Sequence, residues 1–433
     1  MSAAGLAQAQ ARDAADPLRA FRSRFALPCD ARGAPLLYLC GHSLGLMPLA
    51  ARGLVNEELD DWSRHAVLGH EHGRRPWIPY HEQLTAGLAA LTGAGADEVV
   101  AMNSLTVNLH LMLASFYRPQ GSRTRILIEA GAFSSDRHAV TSQIAWRGLD
   151  PESTLIELAP APGTDTVPEE AIEACLARHG EEIALVLWPG VQFRTGQAFD
   201  LARVARAAQQ RGCIAGFDLA HSIGNLPLAM HASQADFAVW CSYKYLNGGP
   251  GAIGGCFVHR RHSGAQSRTR HTGALPGARL AGWWSHEEPT RFLMEPQFRA
   301  APGAAGWQIS NPPILAAAPL IASLAIFAEA GITRLREKSV QLTDYLDGLI
   351  RPLATTVHIL TPPDSARRGC QLSLRIAGAG RGRRVFDALT ARGAICDWRT
   401  PDIIRVAPVP LYNGFEDAWR FARMLTEVLE DTP

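Results

Sequence analysis

Cys213-Ile-Ala-Gly-Phe-Asp218 and Phe237-Ala-Val-Trp-Cys-Ser-Tyr-Lys244 are two short apolar stretches, and each ends on a charge. Short apolar runs between segments of helical period read as buried strands, here at 213–218 and 236–241. Five similar runs accompany them, at 98–102, 125–130, 154–158, 183–188 and 253–258. Between most of them the period is helical, as in Leu201 to Gln210 and Asn108 to Tyr117. This alternation predicts an α/β fold with a seven-stranded, mostly parallel sheet covered by helices. Ligands of such sheets bind beyond the carboxyl ends of the strands, so the residues after each strand carry the functional information.

Outward from this region the pattern changes. Residues before 98 are mostly helical, with one strand at 36–40. After about 315 comes a long helix, 314–350, followed by strands at 356–360, 370–376 and 402–406. Together the flanks predict one smaller α+β domain built from both chain ends. Residues 1–75 and 316–433 would form it, and 76–315 the large domain. Pro and Gly cluster at 273–277 and 301–313, which predicts loops.

The chain has 433 residues, 47% apolar and 19% charged, a composition that folds and can bury a large core. Lys plus Arg number 42 against 41 Asp plus Glu, a net charge of +1. That balance argues against nucleic acid or an anionic membrane as the main partner. Gln8, Gln10, Arg12 and Asp13 interrupt the Ala-rich start, so no signal-peptide core is expected there. The run Ile314 to Ala328 contains Pro319 and Ser323 and is too short to span a bilayer; it reads as a buried helix. Eight scattered cysteines, with no C-x-x-C pair and no zinc spacing, predict reduced thiols in a cytoplasmic protein and no metal site.

Only two of the 42 basic residues are lysines, Lys244 and Lys338. Where charge alone is needed this chain uses Arg, so a lysine marks a place for an amine that can lose its proton. Lys338, in Leu335-Arg-Glu-Lys-Ser339, reads as a solvated charge on an ordinary helix face. Lys244 instead closes an apolar strand, 26 residues after the strand-end Asp218. This pairing suggests pyridoxal phosphate chemistry. The amine forms a Schiff base with the cofactor aldehyde, and the carboxylate keeps the pyridine nitrogen protonated. The plainer readings are a helix cap for Asp218 and a surface or phosphate-binding charge for Lys244.

Other strand ends supply further pieces. Asn103-Ser104-Leu105-Thr106 precedes a helix and offers amides and hydroxyls to a phosphate, or a simple cap. Phe133, in Gly131-Ala-Phe-Ser-Ser-Asp136, is a flat neighbour for a ring or else a core residue. Arg405 interrupts Ile403-Ile-Arg-Val-Ala407, either as an internal ion pair or as a bidentate grip for a carboxylate. Three motifs are set aside. Gly249-Pro-Gly-Ala-Ile-Gly254 precedes a strand, whereas a dinucleotide loop must follow one. Gly41-His-Ser-Leu-Gly45 has the G-x-S-x-G form of a hydrolase elbow, with Ser43 as nucleophile, but comes too early in the chain. His65, His70, His72 and His81 lack the H-E-x-x-H spacing.

The chain resembles the kynureninase family over nearly its whole length. The resemblance rests on Tyr38-Leu-Cys-Gly-His-Ser-Leu-Gly45, Gly69-His-Glu-His-Gly-Arg-Arg-Pro-Trp77 and Met102-Asn-Ser-Leu-Thr-Val-Asn-Leu-His110. It continues in Gly216-Phe-Asp-Leu-Ala-His221, Cys241-Ser-Tyr-Lys-Tyr-Leu-Asn-Gly-Gly249, Gly282-Trp-Trp-Ser-His286 and Ile309-Ser-Asn-Pro-Pro313. Arg405-Val-Ala-Pro-Val-Pro-Leu-Tyr-Asn413 completes it.

The resemblance implies a fold-type-I pyridoxal phosphate enzyme, a homodimer with shared active sites. It implies hydrolytic Cβ–Cγ cleavage of L-kynurenine or 3-hydroxy-L-kynurenine, in tryptophan catabolism, giving anthranilate or 3-hydroxyanthranilate and L-alanine. Lys244 would carry the cofactor, Asp218 meet its ring nitrogen and Tyr243 serve the phosphate and act in proton transfer. Leu105, Thr106, Phe133, Ser134, Ser135, Asp136 and His221 would surround the cofactor, with Trp283 and Asn311 reaching it from the partner subunit. Arg405 would bind the substrate α-carboxylate. His70, Ser310 and Asn311 resemble the animal branch, where such residues choose between kynurenine and its 3-hydroxy form. Two departures stand out: the family's Asp-Gly-Asn-Ser-Leu-Gly reads Cys40-Gly-His42-Ser-Leu-Gly45, and Pro189 replaces a Ser or Thr hydroxyl. The alternatives are a cysteine desulfurase or aminotransferase of the same fold, with Cys370 or Cys396 as a desulfurase nucleophile, the Ser43 hydrolase, and a non-catalytic binding protein.

Overall fold

The computed structural model describes residues 3–263 and 279–432, so the Pro/Gly cluster at 273–277 lies outside it. Seven strands form one sheet: β1 (Val99–Ala101), β2 (Arg125–Glu129), β3 (Leu155–Leu158), β4 (Ile183–Pro189), β5 (Ile214–Asp218), β6 (Phe237–Trp240) and β7 (Gly255–Val258). Their order is β1-β7-β6-β5-β4-β2-β3. Only β7 runs antiparallel, to β1 and to β6. The other six strands therefore end at one edge.

Both faces of this sheet are buried, and the side chains sort between them with the strand period of two. Leu127, Val186, Trp188, Phe217, Ala238 and Trp240 join one core. Ile126, Ile128, Leu185, Leu187, Phe237 and Val239 join the other. A sheet buried on both faces explains why its strands read as near-continuous apolar runs.

The expected helix over 314–350 is two helices, α1 (Ile314–Ala330) and α2 (Ile332–Ile350), bent by 81°. Gly331 makes the break at φ +76°, a conformation that costs glycine little and other residues more. Leu320, Leu324 and Phe327 of α1 pack into the large core, whereas Leu346 and Ile350 of α2 pack with Leu37, Leu39, Phe421 and Leu425. This second core backs an antiparallel sheet of β8 (Val357–Ile359), β9 (Leu372–Ile376), β10 (Asp397–Arg399) and β11 (Ile403–Val406), in the order β10-β11-β9-β8. Leu37–Tyr38 pairs in parallel with Ala394–Ile395, which brings the two chain ends together. No single helix among the described residues is long and apolar enough to cross a membrane.

Lys338 is not the solvated charge that its local sequence suggests. Its side chain is buried on α2, 2.7 Å from Asp16 Oδ2, and its amine donates to the Pro410 carbonyl at 2.7 Å. Burial lowers its pKa and Asp16 opposes that shift. Lys338→Met would strand the Asp16 carboxylate in the interior. The expected loss is about 3 kcal/mol of unfolding free energy, read by urea titration. A change within about 0.5 kcal/mol is what a surface lysine would give.

Candidate active site

The shared carboxyl edge of the sheet concentrates polar residues. Glu129, Pro189 and Asp218 end β2, β4 and β5, while Asn103-Ser104 and Cys241 to Lys244 follow β1 and β6. A pocket at this edge is lined by Leu105, Thr106, Glu129, Phe133, Ser135, Asp136, Pro189, Phe193, Asp218, His221, Tyr243 and Lys244. Lys244 Nζ lies 3.0 Å from His221 Nε2, 5.7 Å from the Phe133 ring centre and 6.0 Å from that of Tyr243. Burial, then the charges of Lys244 and Arg405, hold the His221 imidazole neutral, so Nε2 is free to accept from the lysine amine. The backbone around the lysine is fixed closely. Gly45 donates its N–H to the Tyr243 carbonyl at 2.8 Å, and a side chain at Gly45 would collide with the Lys244 carbonyl.

Three carboxylic acids, Glu129, Asp136 and Asp218, line the same pocket. Asp218 Oδ1 accepts the Ala220 amide at 2.7 Å, and its carboxyl group also shares a hydrogen bond with Asp136. Glu129 accepts from Gln192 Nε2 at 3.3 Å. All three are buried, and burial raises each pKa, to about 8 for Glu129. The charge of Asp218 raises Asp136 further, whereas Lys244 pulls Asp218 down. Glu129 was not singled out in the sequence, where it reads as the end of an apolar strand.

An anion cradle lies beside them. The helix Leu105–Phe116 starts after Ser104, whose side chain makes no cap bond, so the first-turn amides lack side-chain partners. Thr106 Oγ1 and Ser135 Oγ are 2.7 Å apart at its mouth. Gly254 lies against it; a Cβ there would sit 3.3 Å from the Leu105 amide and 2.8 Å from the Trp240 carbonyl. The cradle, the amine, the strand-end carboxylate and the flat Phe133 face together fit a phosphorylated, aldehyde-bearing aromatic ring. Asp136 Oδ1 and His221 Nδ1, buried and without protein partners, remain available to such a ligand.

Arg405 sits on β11 with its side chain fully buried. Its Nε donates to Asp397 Oδ2 at 2.6 Å, Nη2 donates to the same oxygen, and Nη1 donates to the Phe193 carbonyl at 2.6 Å. The structure thus contains the internal ion pair, and Phe193, which also lines the pocket, places the guanidinium beside it. Asp397 escaped the sequence reading, and His42 stood out there only as a departure from the family's loop motif. His42 is fully buried with neither ring nitrogen hydrogen-bonded, 3.8 Å from Asp397 and 6.4 Å, ring to ring, from His221.

Other candidates lie elsewhere. Ser134 is exposed at the start of its helix, outside the pocket lining. His70, Trp283 and Asn311 line a separate surface hollow of about 460 Å³ with Leu68, Trp77 and Phe292. Ser310, beside it in sequence, is exposed. Within one chain these four do not reach the Lys244 pocket. The Ser43 hydroxyl pairs with the Cys40 thiol, not with an imidazole as a hydrolase nucleophile would. Cys370 and Cys396 are buried, and burial pushes the Cys370 thiol up to about 12, which makes it a poor nucleophile. His65, His70, His72 and His81 do not converge. The one three-residue cluster of ligand-type side chains among the described residues, Glu98, His231 and His259, already spends its carboxylate on the Gly95 and Arg260 amides.

Comparison with known proteins follows the same lines. Residues 335–425 match a family profile, the kynureninase C-terminal domain. The chain is 57% identical over 411 residues to a kynureninase of Xanthomonas campestris pv. campestris (strain B100), covering 94% of each. It is 55% identical over 421 residues to one of Xanthomonas euvesicatoria pv. vesicatoria, covering 97% of each. Among solved structures, the cysteine desulfurase CsdA of Escherichia coli superposes with a TM-score of 0.74 at 16% identity, over 96% of this chain and 99% of that one. A mutant of C-DES with glycine covalently linked to its PLP cofactor gives 0.74 at 18%, over 90% and 96%. At such identities the structural likeness establishes the fold.

Proposed function

The chain belongs to the kynureninase family, and on that ground we propose that it cleaves the Cβ–Cγ bond of L-kynurenine, or of its 3-hydroxy form, with pyridoxal phosphate held at Lys244. The observation that carries this is the Lys244 amine itself, aimed into a pocket with Asp218, Phe133 and an open helix N-terminus. When bound, the cofactor supplies a protonated ring that takes up the electron pair released at the substrate's α-carbon.

The chain's residues divide the remaining work. Lys244 would hold the cofactor through its aldehyde and would serve as the base that moves the Cα proton. Asp218 keeps a proton on the ring nitrogen. Leu105 and Thr106 would hold the phosphate, and Phe133 would lie against the ring. Arg405 fixes the α-carboxylate and so orients the bond to be broken. Tyr243, kept protonated by burial and by the Cys241 thiol beside it, would hand over a proton as water adds to the γ-carbonyl. Breaking of Cβ–Cγ then leaves anthranilate and alanine.

We place the protein in the cytoplasm, supported by its eight free thiols, and acting in tryptophan catabolism. The division at about residues 75 and 315 is proposed with it. A homodimer is proposed as well, because the hollow holding His70, Trp283 and Asn311 is rimmed by exposed Val67, Leu68 and Phe292. Apolar surface of this kind fits a second copy, whose Lys244 pocket these residues would complete.

A visible spectrum of the purified protein tests the reading. An absorbance of bound cofactor that changes on kynurenine addition, with anthranilate fluorescence appearing, is expected; a spectrum indifferent to kynurenine and no fluorescence would refute it. The polar groups His70, Ser310 and Asn311 are expected to favour 3-hydroxykynurenine by about 1–3 kcal/mol, roughly tenfold to a hundredfold in kcat/KM. A competition assay on wild type and His70→Phe reads this directly. A wild type preferring plain kynurenine, unshifted by the substitution, removes the polar-pocket reading and leaves the reaction standing.

A further inference from the structure

We propose that Asp397 is a positioning and charge-selecting residue for Arg405: it tunes the carboxylate site to accept a singly charged anion and to turn away divalent ones. The inference rests on the reading of Arg405 as the grip for the substrate carboxylate.

The strand register builds the arrangement. Asp397 on β10 lies directly opposite Arg405 on β11, so both side chains share one face of the sheet. Asp397 Oδ2 receives Arg405 Nε at 2.6 Å, Arg405 Nη2, and Arg399 Nε at 2.9 Å. Asp397 Oδ1 makes no hydrogen bond among the described residues. A guanidinium has five N–H groups. Asp397 takes two of those on Arg405 and the Phe193 carbonyl takes a third, which leaves one N–H on each of Nη1 and Nη2. That is the number a bidentate carboxylate needs. The resident carboxylate therefore holds the guanidinium still without exhausting it.

The charges of the cluster count the same way. Arg399 and Arg405 are cations and Asp397 is an anion. Three groups facing them from other elements, His42, Cys40 and Tyr245, add no charge, and the one further cation acting on His42, Lys244, is tied to the cofactor in the loaded enzyme. His42 is held neutral by burial and then by Arg405, Lys244 and Arg399. The Cys40 thiol is pushed up to about 12, by burial first and then by Asp397. Tyr245 is buried and stays protonated. One net positive charge remains, and one carboxylate neutralises it. An anion of two charges would carry its second into a buried site without a counter-charge, which is costly.

The experiment is steady-state turnover of the cofactor-loaded enzyme with kynurenine, inhibited by sulfate at ionic strength held constant with chloride, because screening would otherwise imitate the effect. In this form the phosphate cradle is filled, so sulfate reports on the Arg405 site. Asp397→Asn raises the cluster by one charge, and Arg399→Gln lowers it by one. Sulfate should bind about tenfold or more tightly to Asp397→Asn and several-fold more weakly to Arg399→Gln, and the kynurenine KM should rise in Arg399→Gln.

If Asp397 serves structure alone, both variants weaken sulfate binding together, and that outcome overturns the proposal. So does an unchanged inhibition constant in either variant. If Asp397→Asn does not fold, Asp397→Ser, which removes the same charge with a smaller side chain, decides in its place. Arg405→Ala separates the premise from the inference. If it leaves the kynurenine KM unaltered, the assignment of Arg405 falls. If it raises KM while the other two variants leave sulfate inhibition unmoved, only the role of Asp397 falls.

Discussion

Lys244→Arg is expected to keep the fold and lose turnover by about 10³-fold or more, because proton transfer by a positioned base alone contributes 10²–10⁴-fold and the cofactor anchor goes with it. Arginine keeps the positive charge beside His221 but offers no neutral amine near neutral pH. The complementary experiment is borohydride treatment of the cofactor-loaded wild type, followed by peptide mapping. The chain makes this unusually clean, because it has only two lysines. Lys338 is tied to Asp16 and the Pro410 carbonyl in the interior, so it does not compete for the aldehyde. A label on Lys338, or none at all, would overturn the assignment of Lys244, as would a Lys244→Arg enzyme that still turns over.

The seven large-sheet strands and the residues at their ends were legible because the signal is local. Each strand is an apolar run, and the Lys244 pocket takes its polar groups from the ends of these runs. The lysine count added a global constraint that singled out Lys244. The same count also pointed to Lys338, but its neighbours Arg336 and Glu337 suggested a solvated face. Its partner Asp16 lies at the other end of the chain, and no local pattern joins the two. The strand Asp397–Arg399 was missed for a related reason: it alternates charge, aromatic, charge, and its partner strand, not its own apolarity, makes it a strand. Asp397, His42 and Glu129 are polar side chains whose meaning comes only from what the fold brings against them. The break at Gly331 was hidden by helical period on both sides, although glycine is the residue that permits it. His70, Trp283 and Asn311 were singled out by resemblance alone, and their separation from Lys244 within one chain is a property that no local pattern carries.

Asp218→Asn should lower activity and yet stabilise the cofactor-free protein. The amide can still accept the Ala220 N–H, so the local turn keeps its hydrogen bond. What it loses is the charge proposed to hold a proton on the ring nitrogen, and kcat should fall by about 10²–10³-fold, the usual cost of removing one preorganised electrostatic partner. The stability effect follows from the pKa directions. Glu129, Asp136 and Asp218 all have folded pKa values raised by burial. An acid raised on folding binds more protons folded than unfolded, so it penalises folding as pH climbs. The penalty begins near the unfolded pKa and is complete above the folded one; for Glu129 that window runs from 4.5 to about 8. At neutral pH the cofactor-free protein therefore bears the cost of crowded buried acids, and Asp218→Asn removes one of them. Its cofactor-free form should gain about 1 kcal/mol in urea titration at pH 7, a gain that fades at pH 4. The stabilisation conferred by the cofactor should shrink at the same time. Unchanged turnover would reduce Asp218 to a turn-forming residue. A cofactor-free variant less stable than wild type at pH 7 would show that the carboxylates do not repel across this pocket.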